Sequence, residues 1–288
     1  MARQIADLPH ALGDGDDLAR RLAGRRPAVF LDYDGTLTPI VESPEDAIIS
    51  DSMRRAVEEL AQTCPVCVVS GRDPEVLRQL MGVDDLIVAG SHGFTILSPS
   101  GGSIQRKEGA EFGALLEKVT ARLRSELGSV PGALIEPKSI SVAAHYRLVA
   151  EEQRDRVRDV VEDVLREHPD ELKVTPGKMV YEIQPKLDWD KGKAVLYLLQ
   201  ALGLDGPDVV PLYLGDDVTD EDAFRALSGR GVGIFVGRAD DPEVAGRTTS
   251  ADYVLNTMPE VERFLEELGR RTAAAGEGGT ARGREGGA

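Results

Sequence analysis

Ala28-Val29-Phe30-Leu31-Asp32-Tyr33-Asp34-Gly35-Thr36-Leu37-Thr38 decides the fold. Four apolar residues run to Leu31 and stop at an aspartate. A short continuous apolar run that ends abruptly reads as a buried strand. Asp32 and Asp34, followed at once by Gly35, then place two carboxylates on one tight turn. In an open parallel sheet, ligands bind just beyond the carboxyl ends of the strands. A divalent cation needs hard oxygen ligands, and such a turn can supply a carboxylate and a backbone carbonyl. Taken alone, the segment reads equally as an acidic turn with solvated side chains.

Outward from this stretch, further apolar runs stand at 66–69, 86–89, 209–214, 232–236 and 252–255. Met53, Ala56, Val57 and Leu60 mark a helix face between the first two runs. Asp73-Pro74-Glu75 reads as a helix start, with Asp73 as N-cap and Pro74 at the first helical position. Another helix is expected over 190–202. Strands alternating with helices predict a parallel sheet with crossover connections. From about residue 108 the pattern changes. Helices marked by Phe112–Leu123 and by Val157–Leu165 each precede a pair of strand candidates, at 133–136 with 139–147 and at 171–175 with 179–184. Pro137 interrupts the first pair. This α+β block predicts a sheet open on one face. The expected organisation is an extension at 1–24, a core at 25–107 resumed at 187–270, an inserted domain at 108–186 and a disordered tail from 271. Both ends read as dispensable for the fold. Cys64 and Cys67 read as small core residues on opposite faces of a strand.

The chain of 288 residues carries a net charge of −16. That argues against a nucleic-acid partner, which requires an extended basic surface. No apolar run approaches the ~18–20 residues of a membrane span, and the N-terminus lacks the apolar region of a signal peptide. A cytoplasmic monomer is expected. No Walker-type phosphate loop, dinucleotide fingerprint or EF-hand pattern is present.

A second acidic cluster, Gly215-Asp216-Asp217-Val218-Thr219-Asp220-Glu221-Asp222, also follows an apolar run. Asp220, Glu221 and Asp222 read as acids that complement a helix dipole and need no catalytic role. Asp216 and Asp217 sit at the strand end. Two acidic clusters at two strand ends would repel each other strongly unless a cation lies between them. Ser70-Gly71-Arg72 closes a third run. Lys191 would stand in the first turn of a helix, the wrong end for dipole compensation, which points to an anionic partner.

Together these segments resemble the haloacid dehalogenase superfamily of phosphohydrolases. Within it, SGR at 70–72, GSHGF at 90–94, HYR at 145–147, GKMVYEI at 177–183, WDKGKA at 189–194 and GDDVTDEDAF at 215–224 resemble the trehalose-6-phosphate phosphatase family. The resemblance implies a Rossmann-like α/β parallel-sheet core with an inserted α+β cap. It implies Asp32 as nucleophile, Asp34 as general acid and base, and Ser70 and Lys191 as partners of the phosphoryl group. Mg2+ would be held by Asp32, the Asp34 carbonyl, Asp216 and Asp217. Gly71, Arg72, Glu136, Lys138, Arg147, Lys178 and Glu182 would contact the substrate. The partner implied is a small sugar phosphate. A phosphatase for another ester, such as sucrose 6-phosphate or mannosylglycerate phosphate, remains open. So does a non-catalytic sensor, although the intact acidic and basic set argues against it.

Overall fold

The computed structural model describes residues 2–282 except 14, 16, 100–101, 106–110 and 178. In chain order the first elements are β1 (Arg3–Gln4), α1 (Asp17–Leu22), β2 (Arg26–Leu31), α2 (Asp51–Ala61), β3 (Val66–Val69), α3 (Pro74–Met81), β4 (Ile87–Gly90), β5 (Thr95–Leu97) and β6 (Ser103–Gln105). Then come α4 (Gly113–Leu127), β7 (Leu134–Pro137), β8 (Val142–His145), α5 (Glu151–Glu167), β9 (Leu172–Gly177) and β10 (Val180–Pro185). The chain closes with α6 (Lys191–Ala201), β11 (Val209–Gly215), α7 (Asp220–Leu227), β12 (Val232–Val236), β13 (Thr248–Thr249), β14 (Tyr253–Leu255) and α8 (Met258–Arg282).

The large sheet runs β14-β12-β11-β2-β3-β4-β5-β6. Its first six strands are mutually parallel, while β5 and β6 add an antiparallel edge. Strand β2 therefore lies in the middle, between β11 and β3. It is apolar throughout because both its faces are covered. Val29 and Leu31 pack with Met53, Val57, Leu77, Phe264 and Leu265 of α2, α3 and α8 on one side. Ala28 and Phe30 pack with Val195, Leu198, Phe224 and Leu227 of α6 and α7 on the other. Cys64 and Cys67 are free, buried and divided between these two cores.

The small sheet, β7-β8-β10-β9, is wholly antiparallel. Helices α4 and α5 cover one face, where Leu116, Leu123, Val142, Ala144, Val157, Val161 and Ile183 pack. The two-residue period turns Glu136, His145, Glu182 and Thr175 to the opposite face. Register places Ala143 beside both Glu136 and Glu182, and Glu182 beside Thr175, so these positions form a row across the sheet. Pro137 does not interrupt β7 but ends it, paired with Val142. A proline is tolerated there because β7 is an edge strand.

Three local expectations need correction. The first residues are not dispensable: Ile5, Leu8 and Leu18 are core residues, and β1 pairs with β13. His10 also bonds Glu260, and the Tyr253 hydroxyl donates to Asp17. At the other end, α8 continues past residue 270 to Arg282. Thr272 to Ala275 include three alanines, the best helix formers. Asp73 does occupy the N-cap position of α3, but its side chain makes no capping bond. Among the described residues, no helix is long and apolar enough to cross a membrane.

Candidate active site

The carboxyl ends of β2, β3 and β11 converge beneath the open face of the small sheet. Asp32, directly after β2, continues the ladder by donating its amide to Leu214 O at 2.9 Å. The residue is 5% exposed. Asp190 N-caps α6 through Lys193 N at 2.8 Å, which sets Lys191 in the first turn and aims it inward. An aspartate cap of this kind contributes about 1 kcal/mol. Lys191 Nζ donates to Asp32 Oδ1 and to Asp220 Oδ1, both at 2.7 Å. The anionic partner expected from its unfavourable helix position is thus supplied, in part, by the protein itself.

Asp220 is the residue that sequence reasoning missed. It stands in the first turn of α7, as expected, but is fully buried. Oδ1 accepts from Lys191 and from the Tyr213 hydroxyl at 2.7 Å, and Oδ2 accepts from the amides of Asp216 and Asp217 at 3.0 and 2.9 Å. Helix-start acidity was a sufficient local explanation and hid this role. Glu221 is buried as well and accepts from Ser250 N, whereas Asp222 stays on the surface with Arg225.

Among the described residues, Asp32, Asp216 and Asp220 each bring one carboxylate oxygen within 4.8 Å of the others. Burial pushes the Asp32 carboxyl well above its usual range; Lys191 opposes this, and Asp220 and Asp216 reinforce it. Burial alone would lower Lys191, but Asp220 and Asp32 outweigh it and keep the ammonium charged. Three buried carboxylates against one lysine leave surplus negative charge. Gly35 makes this crowding feasible: its φ is +87°, and a Cβ there would lie 2.1 Å from Asp216 Oδ2. Asp217 lines the cleft but falls outside the tight carboxylate group.

Asp34, two residues on, is held by Arg72 in a two-pronged pair, Nε to Oδ2 and Nη2 to Oδ1, both at 2.7 Å. Arg72 also donates to Pro44 O and lies over the Tyr33 ring. Arg72 is therefore committed to the protein in this structure, although the resemblance assigns it to substrate. Ser70 is buried at the end of β3 and accepts from Arg72 N.

The small sheet forms the roof. Lys138 Nζ lies 3.3 Å from both Glu182 oxygens and donates to Gly71 O at 3.2 Å. Ser141 donates to Glu182 Oε1 at 2.6 Å, and His92 Nε2 stands 3.5 Å from Oε2. Burial works to raise Glu182, but Lys138 and His92 overcome it and hold the carboxyl well below its ordinary range. Glu136 pairs with His145 at 2.8 Å. Asp32, Asp34, Ser70, Gly71, Arg72, Glu136, Lys138, Arg147, Glu182, Lys191, Asp216 and Asp217 all line this one cleft. Lys178 lies outside the described residues. His92 and His145 join the cleft as well.

The family model described as trehalose-phosphatase matches residues 30–257. The chain is 40% identical to a probable trehalose-phosphate phosphatase 4 of Oryza sativa subsp. japonica, over 90% of this chain and 70% of that protein. It is 41% identical to a trehalose-phosphate phosphatase of Mycobacterium tuberculosis, over 95% of this chain and 68% of that protein. Among solved structures, the C-terminal domain of the C. albicans trehalose-6-phosphate phosphatase is similar with a TM-score of 0.76 at 24% identity, covering 91% of this chain and 98% of that one. A haloacid dehalogenase-like hydrolase from Bacteroides thetaiotaomicron has the same fold, with a TM-score of 0.61 at 17% identity over 85% of this chain and all of the other. The motifs, the matched span and the level of identity agree: the chain belongs to the trehalose-phosphatase family of phosphoric monoester hydrolases.

Proposed function

We propose that this chain hydrolyses trehalose 6-phosphate to trehalose and inorganic phosphate, with Mg2+ as cofactor and Asp32 as nucleophile. The observation that carries the reading is one cleft with two unlike walls. A buried carboxylate–lysine floor faces a roof of paired acids and bases that suits a neutral, hydroxyl-rich group.

The floor's donor set fits a divalent cation. Its oxygens are hard ligands with excess negative charge. Asp220 has both oxygens engaged by hydrogen bonds, so Asp32, Asp216 and the Asp34 carbonyl would hold the ion, with Asp217 nearby. Bound there, Mg2+ offsets the repulsion between the carboxylates and an incoming phosphate.

Asp32 attacks phosphorus, the bond from phosphorus to the sugar oxygen breaks, and Asp34 supplies the proton that the departing oxygen takes. The aspartyl-phosphate is then opened by water, whose proton Asp34 accepts, releasing phosphate and restoring Asp32. Lys191 holds Asp32 in place and balances its charge. Ser70 donates to a phosphoryl oxygen. Asp34 must leave Arg72 to act as an acid, because a two-pronged guanidinium pair favours the anion. The small sheet acts as the cap, with Lys138, Glu182, Glu136 and Arg147 on the sugar hydroxyls.

A phosphate-release panel over phosphorylated mono- and disaccharides tests the reading. Trehalose 6-phosphate should lead glucose 6-phosphate and sucrose 6-phosphate, and chelation should abolish release. Asp32→Asn should lower turnover by at least about 10^4-fold, the scale on which loss of a reacting nucleophile acts. Full turnover by that variant would remove Asp32 as the nucleophile. Preference for sucrose 6-phosphate would move the assignment to another sugar ester.

A further inference from the structure

Asp73 stands one residue beyond the Ser70-Gly71-Arg72 segment and sits where a helix cap is expected, yet it caps nothing. Its carboxylate turns to the small sheet instead. Oδ1 accepts from Ser139 Oγ at 2.6 Å and from Ser91 Oγ at 3.0 Å, and Ser139 N reaches Oδ1 and Oδ2 at 3.2 and 3.3 Å. The two serine hydroxyls are 3.0 Å apart. One carboxylate on the large domain thus gathers a hydroxyl and an amide from the connection between β7 and β8.

The turn that carries Ser91 is built at a conformational cost. Ser91 and His92 have φ of 50° and 55°, a left-handed region that non-glycine residues rarely occupy. Such strain persists where surrounding contacts over-determine it. Here Ser91 N donates to Arg72 O at 2.7 Å and His92 N to Ser70 O at 2.8 Å. The strained turn is therefore fastened to the phosphate side of the cleft, while its side chains face the roof. Ser91 joins Asp73 and Ser139, and His92 faces Glu182. Lys138, the neighbour of Ser139, donates to Gly71 O. Neither Asp73 nor Ser139 lines the cleft.

We propose that Asp73 is a positioning residue that seats the cap through Ser139, fixing where Lys138 and Glu182 stand over the sugar and so determining sugar discrimination. It rests on the phosphatase reading above. A small aryl phosphate needs only the floor; a disaccharide phosphate needs the roof in register with it.

The test compares Asp73→Ala, Asp73→Asn and Ser139→Ala with the unaltered chain. Hydrolysis of trehalose 6-phosphate and of p-nitrophenyl phosphate is measured, together with amide hydrogen exchange over residues 138–145 without substrate. Asp73→Ala and Ser139→Ala should each lose about tenfold in kcat/KM on the sugar phosphate, the effect of one charge-assisted hydrogen bond, and under about twofold on the aryl phosphate. Exchange over 138–145 should rise in both. Asp73→Asn keeps an acceptor and should recover most of the loss, and the double Ala variant should be no worse than either single one. Ser139 is exposed, so its variant reports on the seat even if Asp73→Ala folds poorly. Equal losses on the two esters, or unchanged sugar-phosphate kinetics, overturn the proposal. Exchange needs no turnover: unchanged exchange in both Ala variants overturns the seat itself. A wild-type chain inactive on every ester removes the phosphatase reading and the discrimination role with it.

Discussion

Two lysines of the cleft face carboxylates, and they do opposite things. Lys191, on the floor, lies 2.7 Å from two carboxylates, with a third in the same group. Lys138, on the roof, lies 3.3 Å from the two oxygens of a single carboxylate and spends a further bond on a backbone carbonyl. The floor gathers three carboxylates around one lysine, an acidic excess that an added cation would relieve. The roof sets one lysine against one carboxylate. A buried ion pair is poor evidence of stability but good evidence of what its surroundings must accept. In the proposed function, the first wall takes the dication and the phosphate, and the second takes neutral hydroxyls.

The largest effect expected on this contrast is on stability. Lys191→Met leaves Asp32 and Asp220 facing each other uncompensated, a loss of about 3–5 kcal/mol when one partner of a buried pair is removed. Urea unfolding in chelator measures it. Lys138→Met should cost clearly less, and equal losses would show that the two lysines are equivalent after all. Next comes Glu182→Gln, which should lower kcat/KM on trehalose 6-phosphate by about 10- to 100-fold while changing an aryl phosphate by less than about threefold. Matching losses on both would break the division into floor and roof.

The smallest effect is in pH. Glu182 is held below its ordinary value of 4.5 by Lys138 and His92, against the opposing pull of burial. A carboxyl depressed on folding stabilises the fold above that ordinary value and loses its contribution as pH falls towards the folded one. The stability advantage of the unaltered chain over Glu182→Gln should therefore shrink below pH 4.5. An advantage that grows on acidification would contradict the assignment of Lys138 and His92 as its partners.

The large sheet was legible because its parallel strands are buried on both faces. Ala28–Leu31, Val66–Val69 and Val209–Leu214 therefore appear as unbroken apolar runs. The small sheet was legible as a change of pattern after residue 108, where two helices each precede a pair of strand candidates. Strands of two or three residues, such as β1, β5 and β6, are too short to show a period. Asp220 and Asp73 were misread for a common reason. An acid at a helix start already has a local explanation, and only tertiary structure reveals that its carboxylate is used elsewhere. The N-terminal segment was undervalued because Ile5 and Leu8 make a single pair and Leu18 stands ten residues on, too few positions to establish a period, although each is buried.

The order of the strands also governs how this molecule can be made. Strand β2 needs β11 beside it, and 159 residues separate Asp32 from the lysine that neutralises it. The small domain and its helices leave the ribosome complete while the central sheet still lacks three of its eight strands, β11, β12 and β14. Long-range parallel pairing of this kind is slow to form and exposes apolar strand edges in the meantime. Nascent chains that already display a finished roof thus wait, with Ala28–Leu31 unpaired on one side, for the segment that supplies the floor; this interval is when the protein is most exposed to aggregation.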